Sequence, residues 1–155
     1  MIINIPGREP IEIKHIVFDY NGTIAIDGKI KESVKEKIYT LSDSFSLYVL
    51  TADTYGSAKK ECENLPINLK CFPNDNASVN KLEILTKIGA SECICFGNGY
   101  NDIKMFEKAA LSVAVLESEG CCSKLLNHAD ILVRSIDEGL DLILNPNRII
   151  ADLRL

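Results

Sequence analysis

The sequence predicts an α/β fold in which a mostly parallel sheet lies between two layers of helices. Two observations support this prediction. Short apolar runs alternate with segments of helical periodicity, and three of the runs end abruptly in a polar or glycine-containing motif. At 155 residues the chain fits a single domain, residues 1–155, with a core over about 11–144 and a C-terminal tail over 145–155.

The first half of the chain begins with strand patterns and continues with helix patterns. Val34, Ile38 and Leu41 lie at helical spacing, and Asp27-Gly28 is a preferred hairpin turn. The predicted elements are an edge strand near 11–13, a strand over 16–19, a flap-like hairpin over 24–30, a helix over 31–41, a strand over 46–51, a helix over 55–64 and a short strand over 69–72.

The second half repeats the alternation. A helix capped within residues 76–78 should run to Ile88 and stop at Gly89. It is followed by strand 92–96, helix 101–110, strand 111–116, helix 121–127, strand 131–133 and helix 136–144. Strands joined by helices favour parallel neighbours, so we expect a three-layer αβα sandwich with a Rossmann-like sheet.

Composition and charge exclude several classes of protein. Seventeen Lys and Arg against 22 Asp and Glu give a net charge of −5, and the basic residues are scattered along the chain. This pattern argues against nucleic acid or an anionic membrane surface as the partner. The chain has neither a long apolar span nor a signal-peptide pattern at its start, so we expect a cytoplasmic protein.

The six cysteines are expected to pack in the core as thiols. A disulfide framework is not expected without a secretion signal. Cys93 and Cys95 would share one face of a strand, and Cys121 and Cys122 are adjacent, so neither pair has C-x-x-C spacing. Zinc or redox chemistry is the alternative.

The candidate site begins at Asp19, where an apolar run stops at a carboxylate and then turns through Gly22. In isolation such a sequence is typical of a polar β-turn. Three later features change the interpretation: Thr51 ends a second apolar run, Lys81 opens a helix, and residues 97–102 follow a third run. Ligands of such sheets bind beyond the carboxyl ends of the strands, so these groups should meet in one crevice.

The chemistry that these groups support is phosphoryl transfer. Asp19 would attack phosphorus and also bind a divalent cation that screens the negative charges. Asp102, the amide oxygen of Asn98 and the backbone carbonyl of Asn21 would complete an oxygen shell suited to Mg²⁺.

Two further side chains are candidates to bind the phosphoryl group. Thr51 offers a hydroxyl and Lys81 an ammonium group. Each has an ordinary alternative, since Lys81 could be a solvated helix lysine and Thr51 a helix cap.

These motifs resemble those of the haloacid dehalogenase (HAD) superfamily, specifically the small soluble proteins that are similar to the phosphorylation domain of P-type ATPases. Residues 19–23 read D-Y-N-G-T, where the family has D-x-D-G-T or D-K-T-G-T, and residues 51–53 read T-A-D, similar to T-G-D. Lys81 fits the third motif, and residues 97–102, G-N-G-Y-N-D, fit G-D-G-x-N-D. The match covers about residues 16–144.

The resemblance implies a HAD-like phosphatase without a cap domain, because the intervals between Asp19, Thr51 and Lys81 are too short to hold one. Capless members leave the crevice open, which the resemblance associates with phosphorylated macromolecules or with oligomers. The expected partner is a phosphorylated small molecule or a phosphoprotein. The apolar tail over 145–155 could dock on its own domain or on a neighbouring subunit, and it favours a homo-oligomer.

Two departures from the family pattern bear on activity. Asn21 stands where the family's phosphatases have a carboxylic acid that exchanges protons, so turnover should be slow. Asn98 replaces a metal-binding aspartate, so Mg²⁺ binding should be weak. The alternatives are a catalytically degenerate protein with a phospho-ligand-binding or regulatory role, and a fragment or accessory subunit of a pump.

Overall fold

The computed structural model describes residues 1–52, 56–73 and 75–155. Its first two strands, β1 (Ile2–Ile3) and β2 (Ile11–Glu12), form a small antiparallel sheet of their own. The predicted strand near 11–13 is therefore present, but it lies outside the main sheet and not at its edge. Only two residues separate β2 from the next strand, which is too few for the crossover that a parallel neighbour requires.

The first half of the main sheet follows the prediction closely. Its elements are β3 (His15–Asp19), α1 (Glu32–Ser42), β4 (Ser46–Thr51), α2 (Ala58–Cys62) and β5 (Asn68–Cys71). Helix α2 is shorter than the predicted helix over 55–64, and Tyr55, its predicted start, lies outside the described residues.

The predicted flap-like hairpin over 24–30 is confirmed. Ile26 and Lys29 exchange two backbone hydrogen bonds of 2.9 and 3.0 Å. Asp27 and Gly28 form the turn between them, both with positive φ (48° and 73°). Positive φ at both central residues is the geometry of a type I′ turn, which explains the Asp-Gly pair.

The second half continues the alternation of helices and strands. It comprises α3 (Ala77–Ile88), a 3₁₀ turn (Ala90–Glu92), β6 (Cys93–Gly97), a 3₁₀ turn (Tyr100–Asp102), α4 (Ile103–Phe106), β7 (Leu111–Val115), a 3₁₀ segment (Ser123–His128), β8 (Ile131–Val133), α5 (Ile136–Leu144) and α6 (Asn147–Leu153).

Two predicted helices differ from the structure. The helix over 101–110 is reduced to α4 because the chain then turns towards β6, where Ala110 N donates to Cys93 O at 3.0 Å. The predicted helix over 121–127 is instead a 3₁₀ segment. Its start is tied to the loop after β6 by a 2.8 Å bond from Cys122 N to Asn98 O, and so short a segment gains little from α-helical propagation.

The six strands of the main sheet are all parallel, in the order β5-β4-β3-β6-β7-β8. Helices cover both faces, which confirms the predicted α/β sandwich. Strand order reverses between β3 and β6, so the crevice of the sheet lies at their carboxyl ends. Asp19, the last residue of β3, lies there beside Leu50 of β4.

The core lies on both faces of the sheet. Side chains alternate along β3, so that Phe18 packs on one face, stacked on Phe96 at 5.4 Å, and Val17 packs on the other. Ile149 and Leu153 of α6 are buried in the first of these clusters. The C-terminal tail therefore docks on its own chain, which removes the feature that favoured an oligomer.

The cysteines fulfil the core prediction only in part. Cys62, Cys93 and Cys95 are buried, whereas Cys71 is exposed and the remaining two are half-buried, and all six are thiols. Burial raises the pKa of Cys95 well above its usual value, which keeps that thiol protonated. None of the helices in the described part of the chain combines the length and hydrophobicity that a bilayer crossing needs.

Candidate active site

Lys81 lies at the centre of the candidate site. It belongs to α3, whose inner face carries Lys81 and Leu85 one turn apart, and only 1% of the residue is exposed. Its Nζ donates to Asp19 Oδ1 and to Asp102 Oδ1, both at 2.6 Å, and to Asn101 Oδ1 at 3.0 Å. The alternative of a solvated helix lysine is therefore wrong.

Asp102 is fully buried, and both of its carboxylate oxygens accept hydrogen bonds from the protein. One oxygen accepts from Lys81, and the other accepts from the backbone N–H groups of Asn98 (3.1 Å) and Gly99 (2.9 Å). The loop reaches this carboxylate closely only because residue 97 is glycine, since a Cβ there would lie 2.5 Å from Asp102 Oδ2. Asp102 thus fixes both Lys81 and the loop after β6.

The charged groups of the site shift one another's pKa values. Burial raises the pKa of Asp19 to about 6, against the opposing attraction of Lys81 and with a further contribution from Asp102. Burial alone would lower the pKa of Lys81, but the adjacent Asp102 and Asp19 carboxylates outweigh it and raise that pKa above its usual value. A permanent cation thus lies between two carboxylates, which leaves one negative charge when both are ionised.

Thr23 and Asn98 contact each other next to the second carboxylate oxygen of Asp19. Thr23 Oγ1 donates to Asn98 Oδ1 at 3.1 Å and lies 3.4 Å from Asp19 Oδ2. Asn98 Nδ2 donates to Gly120 O at 3.0 Å, which orients the amide so that its oxygen faces Thr23. Gly22 permits this contact, because a Cβ at that position would lie 2.2 Å from Asn98 Nδ2.

The side chain of Asn21 has a hydrogen-bond acceptor that the described residues leave unsatisfied. Its Oδ1 is buried and, within the described part of the chain, accepts no hydrogen bond. Buried acceptors are normally paired. Asn21 Oδ1 is thus, among the described residues, an unsatisfied acceptor two positions along the chain from Asp19.

Thr51 is placed at the carboxyl end of β4, next to the strand that carries Asp19, and is 1% exposed. Helix α2 starts at Ala58 and its N-cap residue is Ser57, so Thr51 does not cap α2. Asp53, the third residue of the T-A-D motif, lies outside the described residues.

The donor set fits a hard divalent cation of the Mg²⁺ type. Asp19 and Asn98 direct side-chain oxygens to the hydroxyl of Thr23, and the unsatisfied oxygen of Asn21 lies two residues from Asp19. No group of three or more His, Cys, Asp or Glu side chains suited to a metal occurs in the described ranges. Position 98 contributes an amide oxygen rather than a carboxylate to this donor set.

The structure brings together Asp19, Lys81, Asn98 and Asp102, as the sequence predicts, and adds two residues that motif reasoning left without a role. Thr23 contacts both Asp19 and Asn98, and Asn101 accepts from Lys81. The sequence signal that could have identified them is their position inside the two longest motifs, residues 19–23 and 97–102.

Comparisons with known proteins bear on the family and on the fold. A family model described as haloacid dehalogenase-like hydrolase matches residues 74–140. An uncharacterized protein of Methanocaldococcus jannaschii is 38% identical over 80 residues, which span 49% of this chain and 86% of that protein.

Solved structures resemble the whole fold. A 3-deoxy-D-manno-octulosonate 8-phosphate phosphatase from Moraxella catarrhalis, in complex with magnesium, phosphate and KDO, has 18% identity and a TM-score of 0.71, with 92% of this chain and 94% of that chain covered. A cobalt-bound deoxy-D-mannose-octulosonate 8-phosphate phosphatase from Haemophilus influenzae has 18% identity and a TM-score of 0.73, with 86% and 88% covered. At this identity the likeness establishes the fold.

Proposed function

We propose, because this chain belongs to the haloacid dehalogenase superfamily of hydrolases, that it is a Mg²⁺-dependent phosphatase acting through an aspartyl phosphate on Asp19. The observation that carries the proposal is the contact of buried Lys81 with both Asp19 and Asp102, each at 2.6 Å, at the crevice of a parallel sheet. A buried cation beside a carboxylate nucleophile lowers the cost of bringing an anionic phosphoryl group to it.

Each residue has a defined part in the reaction. A carboxylate oxygen of Asp19 attacks phosphorus, the phosphorus–oxygen bond of the ester breaks, and the departing oxygen takes a proton from water. A second water then attacks the phosphorus of the acyl phosphate, which releases inorganic phosphate and restores Asp19. The three N–H groups of Lys81 are taken by Asp19, Asn101 and Asp102, so its part is to attract the phosphoryl oxygens by its charge. The hydroxyl of Thr51 is the proposed donor to those oxygens.

A divalent cation would be held by Asp19, Asn98 and the backbone carbonyl of Asn21, with Asp102 nearby as a second carboxylate. When bound, Mg²⁺ would supply electrostatic screening between the nucleophile and the phosphoryl group. The relatives support this choice, since the Moraxella phosphatase contains magnesium and the Haemophilus phosphatase contains cobalt.

Turnover should be slow because Asn21 cannot transfer a proton. General acid–base catalysis contributes about 10²–10⁴-fold to the reaction rate, and this chain has an amide instead of an acid at position 21. The same substitution, together with Asn98, favours a second candidate function. In it the protein binds a phosphorylated ligand or has a regulatory role without turnover.

The substrate that we propose is a phosphorylated small molecule, with a phosphoprotein as the second class. The two phosphatases of similar fold are named for a phosphorylated sugar acid, which supports the first class. The predicted cytoplasmic location stays a prediction.

The test compares the natural protein with Asp19→Asn and Asn21→Asp on an aryl phosphate, with Mg²⁺ and with EDTA. We expect slow, Mg²⁺-dependent phosphate release that Asp19→Asn abolishes and Asn21→Asp accelerates. If all three proteins are inert while Mg²⁺ still binds, the phosphatase proposal fails and the binding role replaces it.

A further inference from the structure

The hydroxyl of Tyr20, the residue directly after Asp19, connects two segments that are distant in sequence. Its side chain is completely buried. Tyr20 Oη donates to Gly28 O at 3.0 Å and shares a 3.3 Å hydrogen bond with Ser57 Oγ. Gly28 lies in the turn of the hairpin over 24–30, and Ser57 is the N-cap residue of α2.

The backbone of Tyr20 organises the same hairpin from its other end. Tyr20 O accepts from Ala25 N at 2.9 Å and from Thr23 N at 3.3 Å. The hairpin is therefore attached to Tyr20 both at its base and at its turn. On the outer side, Asp27 N donates to Glu119 Oε1 at 2.7 Å, so the turn has one buried and one exposed anchor.

These contacts reach the candidate site through Thr23. Thr23, at the base of the hairpin, contacts Asp19 Oδ2 and Asn98 Oδ1. A shift of the hairpin would move the Thr23 hydroxyl relative to Asp19 without touching the ion pair of Asp19 with Lys81.

We propose that Tyr20 is a positioning residue, whose hydroxyl holds the hairpin and the start of α2 in a fixed relation to Asp19. The catalytic part of this inference rests on the proposed function. Its physical basis is that a buried hydroxyl with two partners on separate segments ties both of them to the nucleophile's own loop. The volume of the ring packs the core, and the hydroxyl does the positioning.

The test uses Tyr20→Phe, Ser57→Ala and the double variant. Tyr39→Phe is the matched control, because Tyr39 Oη also donates to a backbone carbonyl, that of Asn64, but on an exposed helix face. The first readout is amide hydrogen exchange of residues 24–30, which does not depend on activity. The second is kcat and KM for an aryl phosphate with Mg²⁺.

Tyr20→Phe should speed exchange of residues 24–30 about fivefold, the equivalent of one neutral hydrogen bond of about 1 kcal/mol. KM should rise by a similar factor with a smaller change in kcat, because a displaced Thr23 loosens Asn98 and Asp19 Oδ2 and so weakens substrate binding, while the pair of Asp19 and Lys81 remains. Ser57→Ala should act in the same direction, and the double variant should match Tyr20→Phe alone. Tyr39→Phe should change neither readout.

The inference would be overturned if residues 24–30 exchange at the same rate in Tyr20→Phe as in the natural protein. It would also be overturned if the effects of Tyr20→Phe and Ser57→Ala simply add in the double variant. If Tyr20→Phe does not fold, Ser57→Ala still decides, because it must speed exchange in the hairpin, far away in sequence. An inactive natural protein would remove the proposed function, whereas the exchange data would still show whether Tyr20 couples the two segments.

Discussion

Lys81 Nζ lies 2.6 Å from Asp19 Oδ1, although 62 positions separate the two residues in the chain. Helix α3 delivers the ammonium group from one layer of the sandwich to the carboxyl end of β3 in the central sheet. Asp102 Oδ1 accepts from the same Nζ, also at 2.6 Å. The lysine therefore compensates the negative charge of two buried carboxylates. Stability and chemistry of the site therefore depend on one side chain.

Lys81→Met should destabilise the protein by about 3–5 kcal/mol, since removal of one partner leaves buried charge uncompensated. Urea unfolding at pH 7 measures the change. Lys87→Met is the matched control, on the same helix but exposed, and should cost less than about 0.5 kcal/mol. Equal effects of the two substitutions would contradict the central role of Lys81.

Asp19→Asn should make the metal-free protein more stable at neutral pH. Burial raises the pKa of Asp19 from 3.8 to about 6, so the folded state favours its protonated form. The stabilisation from that proton is complete below pH 3.8 and is lost as the pH rises through about 6, by up to about 3 kcal/mol. Asparagine imitates the protonated acid and removes this loss.

The measurement is unfolding free energy in EDTA from pH 3.5 to 7.5. The difference between Asp19→Asn and the natural protein should be small below pH 4 and should grow up to pH 7. A difference that stays constant across this range would mean that Asp19 is not buried in the way the structure describes.

The sheet could be predicted from the sequence because its signal is local. Each buried strand is a short apolar run, and the hairpin turn at Asp27-Gly28 needs a positive φ that few residues accept. The errors arose where tertiary contacts override local preference. Cys122 N is held by Asn98 O, so the predicted helix over 121–127 is a 3₁₀ segment.

The part of the site that could be predicted consists of residues with a recognisable place in a motif. Asp19, Lys81, Asn98 and Asp102 each have such a place, and hydrogen bonds connect them in the structure. The contact of Thr23 with Asn98 spans 75 positions and involves ordinary polar residues. The link from Tyr20 to Ser57 is a hydrogen bond of a buried hydroxyl, and a buried tyrosine looks in the sequence like any other core residue, so the link carries no signal there.

Asn98→Asp should strengthen Mg²⁺ binding by about tenfold or more, because it restores a formal negative charge to the oxygen donors. In EDTA the same variant should be less stable, since Asn98 Nδ2 now donates to Gly120 O and a carboxylate would face that carbonyl instead. Calorimetric Mg²⁺ titration and thermal unfolding with and without Mg²⁺ measure the two effects.

Asn127→Asp adds the same charge at an exposed position and serves as the control. It should leave Mg²⁺ affinity unchanged. If both variants bind Mg²⁺ equally well, position 98 is not a ligand and the cation lies elsewhere.

Gly22→Ala should damage the site through a contact as well as through backbone strain. Gly22 has φ of +74°, and a Cβ there would lie 2.2 Å from Asn98 Nδ2. Gly56→Ala isolates the strain, because Gly56 has a similar φ of +67° but no described atom lies within 4 Å of its Cβ position. The control should cost about 1–2 kcal/mol in unfolding free energy. Gly22→Ala should cost distinctly more and should also weaken Mg²⁺ binding, because Asn98 must move; equal costs and equal Mg²⁺ affinities would show that this contact is not part of the native site.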